Sequence, residues 1–344
     1  MLDDLKYIHQ KDAQDTLGIA ERQCRQLEHE FDLSNANFHD IQNVVFAGMG
    51  GSAVPATYLQ TWPTIAVPFE IVDNYDLPSY VGPQTLCILS SYSGNTEETL
   101  SALEQAVDKG AQIAVMASGG QLQTIAKQKG YPFALIPKAE QPRYAVLYDF
   151  KALLTILDRA GLVDLASLMP ELLATRDFVG QAVRLWRADV PTANNPAKQL
   201  AQELLGRSLV IYAGPKMYPA AHKWKISCNE NAKQIAWYGQ LPEFSHNEFI
   251  GWSEQPINKP YAVIDLRSNL EHPRVQKRFV VGARLLSGLR PAPIIVKAEG
   301  KTVFQQLLWT ITFGDFVTLY LGLLNGLNPA PVDLVEKLKK ALDA

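Results

Sequence analysis

The sequence is short of cysteine, of surplus charge and of unbroken apolar stretches, and each shortage excludes a class of function. Its three cysteines, Cys24, Cys87 and Cys228, stand far apart and form no Cys-x-x-Cys. An odd, low number fits free thiols in a reducing compartment, so the expected location is the cytoplasm. Lys and Arg number 32 against 35 Asp and Glu, a net charge of −3. No basic excess is present to hold nucleic acid or an anionic membrane. The segment Val303 to Leu324 is apolar enough to be mistaken for a membrane span, but Gln305, Gln306 and Asp315 interrupt it. Its clean runs fall short of the roughly 20 residues that cross a bilayer, so it reads as a buried core helix. The opening Met1-Leu2-Asp3-Asp4-Leu5-Lys6 is mixed and charged, unlike a signal peptide. No His-Glu-x-x-His or Cys/His cluster offers a metal site, and no cofactor is expected.

What remains is an ordinary globular composition, 47% apolar and 19% charged, over 344 residues. That length accommodates two domains with their own cores. Short apolar runs at 43–47, 65–72, 86–90 and 112–120 alternate with helical patterns such as 97–109. The rhythm returns at 208–214, 261–266 and 292–296. Such alternation predicts an α/β fold of two mostly parallel sheets flanked by helices. Amphipathic helices are expected at 148–160 and 172–188, and the boundary near residue 153, giving domains 1–153 and 154–344.

Two turns at predicted strand ends carry chemistry. Ser90-Ser91-Tyr92-Ser93-Gly94-Asn95-Thr96 follows a strand and opens a helix. Free backbone N–H groups, the helix dipole and hydroxyl donors make such a turn fit for an anion. It has no lysine and no Gly-x-x-x-x-Gly-Lys, so a compact phosphate monoester such as a sugar phosphate suits it better than a nucleotide. The same residues also serve as ordinary helix caps. Gly48-Met49-Gly50-Gly51-Ser52 ends another strand, but Val54-Pro55 stand where a dinucleotide fingerprint wants its third glycine. In open α/β sheets ligands bind beyond the carboxyl ends of the strands.

Asn229-Glu230-Asn231-Ala232-Lys233 and Pro242-Glu243-Phe244-Ser245-His246-Asn247-Glu248 form the densest polar stretches of the second half. A carboxylate and an imidazole, each flanked by asparagines able to orient them, read as base and proton shuttle, or else as a helix cap and a solvated loop.

Taken in order, Gly-Met-Gly-Gly-Ser at 48–52, Ser-Tyr-Ser-Gly-Asn-Thr at 91–96, Pro-Arg at 142–143, Asn-Glu-Asn-Ala-Lys at 229–233 and Pro-Glu-x-x-His-Asn-Glu at 242–248 resemble the bifunctional phosphoglucose/phosphomannose isomerase family of two sugar-isomerase (SIS) domains. The resemblance implies an aldose–ketose isomerase acting on glucose 6-phosphate and/or mannose 6-phosphate. It implies Ser91, Ser93 and Thr96 at the phosphate and Gly50, Gly51 and Ser52 along the sugar. Arg143 would steady an enediolate, Glu230 would carry the proton and His246 would open the ring. In related enzymes that histidine comes from a neighbouring subunit, which implies a homodimer. A lysine near the C-terminus completes the set, either Lys339 or Lys337. Two positions depart from the pattern: Lys223 where arginine is common, and Ala330 where threonine is often seen. The alternatives are a non-catalytic SIS regulator that binds a sugar phosphate, and another SIS enzyme such as an amino-sugar-phosphate isomerase. Leu2, in place of a nucleophilic cysteine, argues against a glutamine-using synthase.

Overall fold

The computed structural model describes residues 1–33, 35–253 and 260–342. Two short helices, α1 (Leu5–Lys11) and α2 (Thr16–Arg22), open the chain. The first α/β run is β1 (Asn43–Gly48), α3 (Val54–Tyr58), β2 (Phe69–Val72), β3 (Thr85–Ser90), α4 (Glu97–Asp108), β4 (Gln112–Ala117), α5 (Gly120–Lys129), β5 (Phe133–Leu135) and α6 (Val146–Arg159). Helix α7 (Leu165–Val183) follows, then α8 (Pro196–Leu204), β6 (Ser208–Ala213), α9 (Tyr218–Asn231), β7 (Ala236–Gln240) and α10 (Glu248–Gly251). The chain ends in β8 (Tyr261–Arg267), α11 (Pro273–Leu285), β9 (Ile294–Lys297), α12 (Val303–Leu324) and α13 (Asp333–Leu342).

The chain forms two compact units, Arg22–Asp177 and a composite of Met1–Glu21 with Phe178–Ala344. The expected boundary near residue 153 falls inside α6. The first residues join the composite unit because Lys198 reaches them. Its buried ammonium donates to Leu2 O at 2.7 Å, Ala188 O and Val190 O at 2.8 Å, and Asp3 Oδ1 at 3.2 Å. Tyr7 adds a bond from its hydroxyl to Leu323 O at 2.7 Å. A buried lysine must find such partners, and here they include residues some 190 positions back in sequence.

Among the described residues, the Arg22–Asp177 unit has a parallel sheet in the order β2-β1-β3-β4-β5, and the composite unit one in the order β7-β6-β8-β9. In the first sheet Gly48 pairs with Ser90, so both candidate turns leave neighbouring strands side by side. The expected strand at 65–72 shortens to Phe69–Val72 and that at 292–296 becomes Ile294–Lys297. Pro68, Pro291 and Pro293 have no N–H to give a ladder, which delays each start. The helix expected from 172 begins at Leu165, because Asp164 Oδ1 caps Ser167 N at 3.1 Å. Strands β5 and β7 have no counterpart among the expected strands. Both are short edge strands, and β7 leaves Trp237 half exposed, so neither has the buried run that marks an inner strand.

Helix α12 could cross a bilayer by length and by a mean hydropathy of 1.6, but 94% of that window is buried inside the fold. It is the core helix the sequence predicts. It packs against α9 through two glycine notches. A Cβ on Gly314 would lie 2.1 Å from Trp224 Nε1, and one on Gly322 would lie 2.5 Å from Asn231 O. Trp224 is fully buried and donates to Thr310 O at 2.7 Å, so its ring has nowhere to retreat. Gly314→Ala is therefore expected to destabilise the protein by about 1–3 kcal/mol through overpacking. Urea unfolding reads this as a lower midpoint at unchanged slope. An unchanged midpoint would mean that α9 and α12 do not meet this closely.

Candidate active site

In the Arg22–Asp177 unit the hydroxyl loop is fixed by its neighbours. Ser118 takes Tyr92 O through its Oγ at 2.7 Å and its N–H at 3.0 Å. Gln121 N donates to Asn95 Oδ1 at 2.9 Å, and Leu122 N to Gly94 O at 3.0 Å. Gly94 has φ +71°, and a Cβ there would meet Gly119 O at 1.9 Å, so only glycine fits. The loop's hydroxyls turn towards one another. Ser91 Oγ lies 2.6 Å from Thr96 Oγ1 and 3.4 Å from Ser93 Oγ. Thr96 occupies the N-cap of α4 yet makes no side-chain capping bond. Its hydroxyl is drawn into the cluster, so the plain capping reading fails at this residue.

The Gly-Met-Gly-Gly-Ser turn docks on this loop. Ser52 Oγ accepts from Tyr92 N at 3.0 Å, and Ser52 O from Ser90 Oγ at 3.2 Å. Gly50 has φ +51°. A Cβ on Gly51 would stand 3.3 Å from Arg143 N, which brings the Pro142-Arg143 turn against the glycines. Arg143 is buried, with its guanidinium 4.6 Å from the Tyr144 ring centre. The next helix, α6, carries Asp149 in its first turn. Asp149 is buried and its Oδ2 has no hydrogen-bond partner among the described residues, so desolvation pushes its carboxyl well above the usual carboxylate range.

In the composite unit Glu230 is half-buried, one residue before the end of α9. The flanking residues are engaged in building. Asn229 Oδ1 accepts from Ala236 N at 3.2 Å, and Asn231 Nδ2 donates to Thr318 Oγ1 at 3.0 Å. Lys233, at φ +52°, donates to Glu230 O at 2.8 Å, Asn328 O at 3.0 Å and Pro329 O at 2.9 Å. This clasp ties the helix end to the turn that holds Ala330. Asn229 and Asn231 thus each make a bond that builds the fold. Cys228, in the same last turn of α9, is buried and its thiol is pushed up to about 12, so it packs and does not react.

His246 ends a 3₁₀ turn, Glu243–His246, and is exposed. Asn247 caps α10 through Glu248 N and does not turn to the imidazole for that bond. An aromatic box steadies the segment. The Arg290 guanidinium lies 5.5, 5.8 and 5.6 Å from the rings of Tyr212, Phe244 and Trp252. Tyr212 OH donates to Glu248 Oε2 at 2.9 Å and accepts from Trp252 Nε1 at 3.0 Å. Lys337 is exposed on α13, while the side chain of Lys339 lies outside the described residues. A cavity of about 470 Å³, lined by His9, Asp12, Asp15, Glu21, Arg187 and Asp189 among others, contains none of the expected site residues.

A SIS domain model matches residues 37–161, and a model of the bacterial phospho-glucose isomerase C-terminal SIS domain matches 193–342. The chain is 32% identical to the bifunctional phosphoglucose/phosphomannose isomerase of Caldicellulosiruptor bescii, covering 90% of this chain and 91% of that one. The chain belongs to the bifunctional phosphoglucose/phosphomannose isomerase family. The member from Aquifex aeolicus is 30% identical over 88% of this chain and 90% of its own. Among solved structures, a glucose-6-phosphate isomerase like protein from Thermus thermophilus superposes with TM-score 0.64 at 19% identity, over 97% of this chain and 99% of that one. At that identity the match supports the two-domain SIS fold. The residue that sequence reasoning missed is Asp315, seen there only as a break in an apolar run. It pairs with Lys223 at 2.5 Å in the core.

Asp149 gives a pH signature. Its folded pKa is raised, so the unfolded chain releases this proton first, and the group costs stability as pH climbs above the usual carboxylate range near about 4. Asp149→Asn is expected to gain about 1–3 kcal/mol over wild type at pH 7. The gain should shrink towards pH 4 in urea titrations. A difference that does not change with pH would refute a neutral, buried Asp149.

Proposed function

We propose that the chain is an aldose–ketose isomerase interconverting glucose 6-phosphate and mannose 6-phosphate with fructose 6-phosphate through an enediolate, an isomerisation step of glycolysis in the cytoplasm. The observation that carries the reading is the Ser91, Ser93 and Thr96 cluster at an α4 N-terminus left without a side-chain cap. It is supported by similarity to relatives that bear this name.

In this reading the three hydroxyls and the first turn of α4 grip the phosphate, with Gly50, Gly51 and Ser52 along the sugar. The phosphate is remote from the reacting carbons, so its binding energy orients the chain of the sugar. His246 opens the ring. Glu230 takes the proton from one of C1 and C2 and returns it to the other. Arg143 balances the charge that develops on oxygen, and Lys337 or Lys339 assists. A homodimer in which His246 serves a second copy is supported by its exposure. The exposed apolar side chains Ile235, Trp237, Ile250, Val280 and Leu334 also favour a partner.

A coupled assay of fructose 6-phosphate formation from each aldose tests the reaction. Glu230→Gln should lower kcat by about 10²–10⁴-fold, the usual worth of a general base. Full turnover by that variant would sink the assignment. Ser91→Ala should raise KM about tenfold or more, since it removes a hydrogen bond to a charged group. Tight sugar-phosphate binding without turnover in wild type would favour the regulator instead. Activity with glucose 6-phosphate alone would direct attention to Ala330.

A further inference from the structure

Helix α9 carries Glu230 and packs on α12, which is buried around nearly its whole circumference. Apolar contact is non-directional, so it does little to choose one sliding position over the next. Polar pins do choose. Trp224 Nε1 meets Thr310 O at 2.7 Å, and Asn231 Nδ2 meets Thr318 Oγ1 at 3.0 Å. Beside them Lys223 Nζ donates to Asp315 Oδ1 at 2.5 Å and to Ser227 Oγ at 2.7 Å. Ser227 Oγ in turn donates to the same Asp315 oxygen at 2.7 Å. Lys223, Ser227 and Asp315 are all nearly fully buried. Trp224, Ser227 and Asn231 meet Thr310, Asp315 and Thr318 in the same order along both helices, and Lys223 joins Ser227 and Asn231 on one stripe of α9, where residues four apart are neighbours. Sliding by one turn would leave an ammonium and a carboxylate buried apart, and each would then be strongly penalised.

We propose that the Lys223–Ser227–Asp315 cluster is the positioning element for Glu230. It sets the register of α9 on α12 and thereby the place of the carboxylate, which lies three residues beyond Ser227 and one before the last pin. These are positioning residues, and none of them touches substrate. The inference rests on the role given to Glu230 above.

The test separates register from stability. In Lys223→Met/Ser227→Ala/Asp315→Leu the cluster becomes apolar together, a replacement that buried ion pairs often tolerate without loss of stability. Its thermal midpoint should stay near that of wild type. Its kcat should fall about 10–100-fold, the scale of a misplacement near 1 Å. KM should stay within about threefold, since the phosphate grip is elsewhere. Lys223→Arg keeps the charge against Asp315 and should retain most of kcat. A triple variant as stable as wild type and equally fast overturns the proposal. If the triple variant does not fold, Asp315→Asn keeps the shape of the cluster and weakens its charge. It should show the same split, a kcat loss of about threefold or more at steady KM, and an unchanged kcat there overturns the proposal too. If wild type isomerises neither aldose, the function assigned above fails and the register is read by amide hydrogen exchange over 224–233. Faster exchange in the altered protein supports the lock, and equal protection refutes it.

Discussion

A helix that is apolar on every side can be buried at many rotations and many depths, and the composite unit depends on removing that freedom. Helix α12 is such an element. Its location in the core follows from hydrophobic burial, but its register does not. Two glycines let α9 come close, and the ladder of Trp224, Lys223, Ser227 and Asn231 allows one position. Buried polar groups are weak contributors to net stability and are best attested as devices for register. The end of α9 then passes its position on. Lys233 clasps the carbonyls of Glu230, Asn328 and Pro329, so the helix end and the Ala330 turn are held as one piece.

The Arg22–Asp177 unit solves its own positioning problem with backbone. Gly94 and Gly120 both take positive φ, and a side chain on either would collide with the opposite turn. The two turns can therefore approach until their N–H and C=O groups pair directly. Ser91, Ser93 and Thr96 inherit this fixed frame, and they hold one another through their hydroxyls. A hydroxyl rotates to suit its partner, so a self-satisfied cluster can turn its donors to an anion without moving the chain. As the proposed anion site, the loop is stiff in its backbone and adjustable in its hydrogens.

Much of this is legible in the sequence, and the parts that are not share a physical cause. Inner parallel strands are continuous apolar runs, so β1, β3, β4, β6 and β8 announce themselves, as do the turns at their ends. Edge strands β5 and β7 bury too little to leave that mark. Sequence order places the first 21 residues with the wrong neighbour because their anchor is a lysine at position 198, and no local pattern links Leu2 or Asp3 to it. Asp315 looks like a flaw in an apolar helix because its partner lies 92 residues away. The asparagines beside Glu230 and His246 read as orienters of the chemistry, and nothing in the sequence shows that they also bond Ala236, Thr318, Glu243 and Glu248. Sequence pattern reports periodicity and turn chemistry. It does not report which buried polar groups will find each other across the fold.

The proposed reaction places a particular demand on the Glu230 end of the composite unit. Glucose and mannose 6-phosphates are epimers at C2, and both lose that difference when C1 and C2 become a planar enediolate. The phosphate grip cannot tell them apart, because the distinguishing centre no longer exists when the charge is developed. Choice between them is made as the proton leaves or joins one face of C2 or the other. It therefore rests on what surrounds the carboxylate and fixes the carbon chain's rotation there. In this protein the fixed feature beside α9's end is the 328–330 turn, held by Lys233 and presenting Ala330, a buried methyl. A methyl neither donates nor accepts a hydrogen bond, so it cannot anchor a water or a sugar hydroxyl as a threonine would. In the proposed reaction, facial preference falls to groups other than this methyl, among them the clasped backbone of that turn, whose place follows the register of α9.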